Sequence, residues 1–305
     1  MQLCKFLIVF SLLFTFPLSA QDIIVKHLKG TNIFKSVPKR VVVLGNGSLD
    51  VLDNLGITPV GTPHSLLPEH LQKYRLSTEN TGTVAEPNFE TIFTLKPDVI
   101  IAENRMLTLH DKLNQIAPTV MFYVDSAQYW SDTKKNWRML GSLFSKQNEI
   151  EAFITQTQVK IDSVAHHNKN IPLKALALMN NGNSVAMFNK GSRFSLIFDE
   201  FGFAEASSNN IAPIKGHHGN LVSFEYIADA KPQVMFVMDR QQAIGKSSGK
   251  AKILFDNPLV YSTPASQNCK LIFINSNAWY ITAGGITATQ MMIEDVKKVF
   301  SSPCN

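Results

Sequence analysis

This sequence predicts an α/β protein of two similar lobes, each built on a central, mostly parallel sheet, joined by one long helix with a ligand cleft between them. Three observations predict it. Residues 89–105 (FETIFTLKPDVIIAENR) recur without a gap 135 positions later as residues 224–240 (FEYIADAKPQVMFVMDR), with seven of the seventeen positions identical. Strand-like apolar runs alternate with helix signals along the chain, which requires parallel pairing through crossovers. Residues 148–165 place Ile150, Phe153, Ile154, Thr157, Ile161 and Val164 at helical spacing with no proline or glycine, so the connection reads as one continuous helix rather than a Gly/Ser hinge.

The first twenty residues stand apart from the lobes. Lys5 followed by FLIVFSLLFTFPLSA is a basic start, an apolar core and a small-residue cleavage site, the pattern of a secretory signal, so the mature chain is expected to begin near Gln21. The apolar run is too short and wrongly flanked for a membrane anchor, and Cys4 lies ahead of it, where it cannot carry a lipoprotein's lipid. An exported, soluble and most simply periplasmic protein is expected. It divides into a signal segment at 1–20, an N-terminal lobe at 21–147, the interlobe helix at 148–168 and a C-terminal lobe at 169–305.

In order along the chain, residues 40–44 (RVVVL) read as a buried strand, and Ser48 as the cap of a helix through Leu55. A strand at 99–102, a helix near 109–116 and a strand at 119–124 complete the first lobe. The second opens with strands at 174–179 and 184–188, continues through the repeat to a strand at 270–274, and ends in a helix from about Thr287 to Phe300. Each repeat copy carries a capping polar residue (Asn88, Ser223), a short helix with Glu90 or Glu225 in its first turn, a Lys-Pro stop, and an apolar strand ending in Arg105 or Arg240. In open α/β sheets ligands bind at the carboxyl ends of strands, so two facing lobes with cationic strand ends imply a cleft for an anionic ligand. The alternative is an old duplication whose arginines sit in solvent.

Composition narrows the function. The chain has 29 Lys and Arg against 24 Asp and Glu, a net charge of +5 that falls to +4 when Lys5 leaves with the signal. No basic run exceeds two residues and no aromatic stripe accompanies one, so nucleic acid is not an expected partner. Beyond Cys4 only Cys269 and Cys304 remain. In an oxidising compartment their natural use is a disulfide tying the tail to the second lobe, two buried free thiols being the alternative. Gly45-Asn46-Gly47 opens a helix after a strand, but Asp50 holds the third glycine position of a dinucleotide fingerprint. Arg240 stands where a phosphate loop ending in Gly245-Lys246-Ser247 needs its first glycine. GxSxG is spelled once, by Gly245-Lys246-Ser247-Ser248-Gly249, but five residues beyond the apolar run that ends at Asp239 and not directly after it as a nucleophile elbow requires, and HExxH does not occur. A binding protein, not an enzyme, is expected.

Five stretches carry a resemblance over essentially the whole mature chain: RVVVLGNGSLDVLDNLGITPVG (40–61), EPNFETIFTLKPDVIIAENR (86–105), NKGSRFSLIFDEFGF (189–203), HHGNLVSFEYIADAKPQVMFVMDR (217–240) and NAWYITAGG (277–285). They resemble the periplasmic binding proteins of ABC importers for iron siderophores and cobalamin, most of all the branch that binds ferric catecholates. The resemblance implies two Rossmann-like lobes and a monomer with no permanent cofactor. Such a protein captures a ferric siderophore and delivers it to an inner-membrane permease.

By match, Arg105, Arg193 and Arg240 would surround the anionic complex, guanidinium holding its charge at every relevant pH. His218 and Tyr280 would fill iron positions left open by a two-catechol ligand, phenolate being a hard donor suited to ferric iron. The residues themselves leave a polar loop, or His217 in place of His218, open, and Tyr280 could be a packed aromatic. In the family the 45–48 loop lies at the cleft mouth, so Gly47 and Ser48 are expected at the ligand, and glutamates such as Glu90 and Glu225 are expected to meet permease arginines. A heme carrier is the alternative within the class, since Tyr and His also ligate heme iron. An exported siderophore hydrolase is the alternative outside it.

Overall fold

The computed structural model describes residues 22–301 apart from 171, 213, 215–218 and 247–248. The expected signal segment, His217, His218 and Cys304 lie outside the described residues. A hairpin of β1 (Ile23–His27) and β2 (Gly30–Phe34) leads into the first lobe. Its sheet runs β5 (Glu79–Asn80), β4 (Gly61–Thr62), β3 (Val41–Leu44), β6 (Val99–Glu103) and β7 (Thr119–Phe122), every pair parallel. The second sheet runs β11 (Asn220–Val222), β9 (Ser184–Phe188), β8 (Lys174–Asn181), β12 (Val234–Asp239) and β13 (Leu271–Phe273), with β10 (Ala204–Glu205) also beside β8. Here β8–β12, β12–β13 and β8–β10 are parallel, while β8–β9 and β9–β11 are antiparallel.

The repeat is conserved down to its backbone. Asn88 and Ser223 accept hydrogen bonds from the Thr91 and Tyr226 amides at 3.0 and 3.3 Å, capping helices Phe89–Thr94 and Phe224–Asp229. Lys96 and Lys231 then turn left-handed at φ 46° and 44°, and the prolines that follow cannot continue a helix. Each copy thereby feeds a central strand, β6 or β12, whose residues are almost all buried on both faces.

The interlobe helix spans Gln147–Asn168 and buries Ile150, Ile154, Thr157, Ile161 and Val164 along one stripe. Its last residue, buried Asn168, donates to the Phe201 carbonyl at 2.9 Å, fastening it to the second lobe. Each sheet has its own outer core: Val42, Leu44 and Ile100 in one, Leu176, Leu178 and Val237 in the other. The inner faces share a third core, in which Val41, Val43, Ile154, Ile161, Trp279 and Val296 belong to one cluster. Separate lobes ordinarily keep one core each. Instead three long helices, Tyr129–Leu143, Gln147–Asn168 and Ile286–Ser301, lie between the sheets and weld their inner faces. Among the described residues no helix is long and apolar enough to cross a membrane.

One local expectation fails. The first-lobe helix begins at Asn46 with Gly45 as its cap, not at Ser48. Ser48 sits inside the first turn because the Glu103 carboxylate, arriving from the end of β6, accepts its amide at 2.6 Å and its hydroxyl at 2.7 Å.

Candidate functional site: an arginine-lined cleft between the lobes

Tyr280 ends the short helix Ser276–Tyr280, whose cap Asn275 accepts the Ala278 amide at 3.0 Å. Three guanidinium groups gather around its ring. The Cζ atoms of Arg193, Arg240 and Arg105 lie 4.7, 5.7 and 5.8 Å from the ring centroid, within cation–π range. Arg105 follows β6 and Arg240 follows β12, the same offset in each repeat copy, while Arg193 comes from the turn between β9 and helix Ser195–Asp199. The structure thus brings together one arginine from the first lobe and two from the second.

Arg240 is the most constrained of the three. Its Nε donates to the Tyr280 hydroxyl at 3.1 Å and its Nη1 to Asn181 Oδ1 at 3.1 Å, an oxygen that also takes the Gln241 amide group at 2.7 Å. Sequence reasoning missed Asn181, which ends β8 and becomes Arg240's neighbour only through strand pairing. Among the described residues none of the three arginines forms an ion pair. Burial pulls the Arg193 pKa down, and the Arg105 and Arg240 charges add to this against the favourable phenol; it stays cationic at neutral pH nonetheless. For Tyr280 half-burial pushes the phenol up, but the Arg240 hydrogen bond and the three cationic charges outweigh it and hold the group below its ordinary value. The surroundings therefore ease loss of the phenol proton, and the deprotonated form is the one that binds metal.

Between the lobes Arg105, Arg193 and Tyr280 line a cavity of about 160 Å³, together with Glu103, Leu196 and Met292. Arg193 and Tyr280 also line a neighbouring groove of about 830 Å³, together with Arg240, Asn181, Met179, Met187 and Phe188. Gly47 and Ser48 lie beneath the cleft and not on its surface. Both are buried; Ser48 is taken up by Glu103, and a Cβ on Gly47 would meet the Ala283 carbonyl at 2.5 Å. Glu103 itself was not singled out by the sequence. Burial pushes its pKa up, while the Ser48 hydrogen bonds and the Arg105 charge oppose this. Glu90 and Glu225 are both exposed on the first turns of their helices, one on each lobe, away from the cleft lining.

The model of the periplasmic binding protein family matches residues 41–278 of this chain. The chain belongs to that family. Among its relatives, the petrobactin-binding protein YclQ of Bacillus subtilis is 34% identical over 91% of this chain and 88% of its own length. The ferric-anguibactin-binding protein FatB of Vibrio anguillarum is 31% identical over 92% and 88%. The crystal structure of the periplasmic catecholate-siderophore binding protein VctP from Vibrio cholerae superposes with a TM-score of 0.85 at 35% identity, covering 91% of this chain and all of VctP. The two-lobed α/β architecture is thus that of a periplasmic binding protein.

Proposed function

We propose that this periplasmic binding protein captures a ferric catecholate siderophore and hands it to an inner-membrane ABC permease for iron uptake. The observation that carries the reading is the set of three guanidinium groups around one phenol, without an ion-pair partner among the described residues. Fixed cations without an ion-pair partner among the described residues suit an anionic cargo, and a phenol whose ionisation is eased suits ferric iron. The ligands for which YclQ, FatB and VctP are named, petrobactin, ferric anguibactin and a catecholate siderophore, support a cargo of this kind.

In this reading Arg105, Arg193 and Arg240 hold the catecholate oxygens, Tyr280 supplies an iron donor, and His218, outside the described residues, is the second donor. Glu90 and Glu225 are the permease contacts. The protein works as a periplasmic monomer, with lobes at 21–147 and 169–305 on either side of the 148–168 helix, after loss of residues 1–20.

The test separates charge recognition from coordination. A tris-catecholate fills all six iron positions, so it should need the arginines but not Tyr280; a bis-catecholate leaves two positions for protein donors. Tyr280→Phe keeps the ring and removes only the oxygen. It should weaken the ferric bis-catecholate complex at least tenfold, about 1.4 kcal/mol, and alter its visible absorption, while tris-catecholate binding changes little. Equal affinities and unchanged spectra for both ligands would reduce Tyr280 to a cleft aromatic.

A further inference from the structure

Tyr280 belongs by sequence to the second lobe, yet the chain just after it is gripped by the first. Ala283 lies against Gly47 with no room for a Cβ between them. Gly284 donates its amide to the Tyr129 hydroxyl at 2.9 Å, and its carbonyl accepts from Trp137 Nε1 at 2.7 Å. Gly285 sits so close to Asp50 that any side chain there would collide with the carboxylate. Asp50 is fully buried in helix Asn46–Asn54, and its two oxygens accept the Thr287 and Ala288 amides, each at 2.9 Å. It therefore caps the sixteen-residue helix Ile286–Ser301 from the opposite lobe, a buried anion against the positive end of that helix. Asn54 braces it, donating to Asp50 Oδ1 and to the Thr287 hydroxyl at 2.9 Å each, and His70 Nε2 stands 3.4 Å from Oδ2.

The link from this clamp to Tyr280 is stiff. The Ile281 and Thr282 amides and the Thr282 hydroxyl all donate to the Asn277 carbonyl, at 2.9, 3.0 and 2.9 Å. The other end of the Tyr280 helix is tied to the last helix, whose Asp295 accepts the Asn275 amide at 2.7 Å and Trp279 Nε1 at 3.1 Å. The tyrosine thus rides on the last helix, and the last helix is footed on the first lobe through Asp50.

We infer that Asp50 is a positioning residue for the ligand site: by capping the last helix across the lobes it fixes the Tyr280 phenol relative to Arg105. This rests on the reading of Tyr280 as an iron donor. It explains how a phenol from one lobe and a guanidinium from the other keep one geometry before any ligand arrives.

Asp50→Asn retains the shape and one acceptor oxygen, and Asn54→Ala is a milder variant that leaves the carboxylate in place. Two readouts apply to each protein, at a temperature where it is folded. The first needs no ligand: the Tyr280 titration, taken as the ultraviolet difference between each protein and its Tyr280→Phe partner, should move up towards an ordinary tyrosine as the phenol leaves the arginines. The second uses ferric bis- and tris-catecholates: bis-catecholate affinity should fall at least fivefold with a weakened phenolate-to-iron band, and tris-catecholate affinity should stay within twofold. A role confined to stability would lower the melting temperature and leave the titration, the band and the affinity ratio unmoved, which overturns the proposal. If Tyr280→Phe itself leaves bis-catecholate binding unchanged, the donor reading fails, and the ligand-free titration still decides whether Asp50 positions the phenol.

Discussion

Replacing Arg193 with Gln should make the ligand-free protein slightly more stable and a much poorer binder. The Arg193 Cζ is 4.7 Å from the Tyr280 centroid, and those of Arg105 and Arg240 are 5.8 and 5.7 Å from it, so Arg193 lies at most about 10.5 Å from either neighbour. At that outer limit each like-charge pair costs about 0.4 kcal/mol in water and about 1.6 kcal/mol at an effective dielectric near 20. Two pairs therefore release about 0.8 to 3 kcal/mol when the charge is removed. Losing the cation–π contact costs about 0.5 to 2 kcal/mol. The balance is a gain of roughly 1 kcal/mol at low salt, a rise of about 2 °C in melting temperature for a chain of this size. The gain should fade towards 0.2 M salt, because the screening length is already about 10 Å at 0.1 M. Charge-assisted hydrogen bonds to the ligand are worth about 1.5 to 3 kcal/mol, so affinity for a ferric tris-catecholate should drop roughly ten- to a hundredfold. Calorimetry at two salt concentrations and ligand quenching of tryptophan fluorescence measure both. Destabilisation that does not vary with salt, or affinity within twofold of the parent, would refute the picture of an uncompensated cationic cluster.

Three further outcomes follow from the same geometry. Tyr280 should ionise at lower pH than an ordinary tyrosine. Because its folded pKa lies below the unfolded one, its contribution to stability is fully present above the unfolded value near 10 and is lost as pH falls through the folded value; alkaline melting curves of the parent against Tyr280→Phe should diverge as pH rises, and parallel curves would count against it. Reversing Glu90 and Glu225 to Lys together should stop iron uptake in cells while ligand affinity stays within twofold, and uptake that survives removes them as docking residues. Cys269 is disulfide-bonded; if Cys304 is its partner, peptide mapping should find the pair and reduction should cost about 2–4 kcal/mol for a loop of roughly 35 residues, whereas two titratable thiols in the exported protein would exclude the bridge.

The parts of this fold legible in the sequence were those written locally. The Asn88 and Ser223 caps, the Lys-Pro stops and the apolar strands after them are contiguous signals, and their recurrence placed Arg105 and Arg240 at matching strand ends. Arg193 and Tyr280 have no internal counterpart and were reached only through resemblance. Ser48 misled because a hydroxyl near a helix start resembles a cap, whereas the group that occupies it, Glu103, is 55 positions away. Helix Tyr129–Leu143 was missed: its buried Trp130, Trp137 and Leu140 are interleaved with Lys, Asp, Asn and Gly, which blurs the apolar period. Asn181 and Asp50 carry no local sign at all, since each acquires its role from a partner brought over by the tertiary fold.

The trans-lobe cap also bears on the order in which this molecule can assemble. Asp50 meets amides 237 and 238 positions further along the chain. A polypeptide made from its amino end has the whole first sheet in hand long before those amides exist. Until they arrive, a carboxylate destined for the interior has no helix end to face and must stay wet, holding the inner side of the first sheet open. The lobe written first is thus among the last parts finished, and contacts of such long range make the final step slow. A chain cut short before residue 287 would keep every strand of both sheets, all three arginines and Tyr280, yet lack the two helix amides that Asp50 accepts across the lobes.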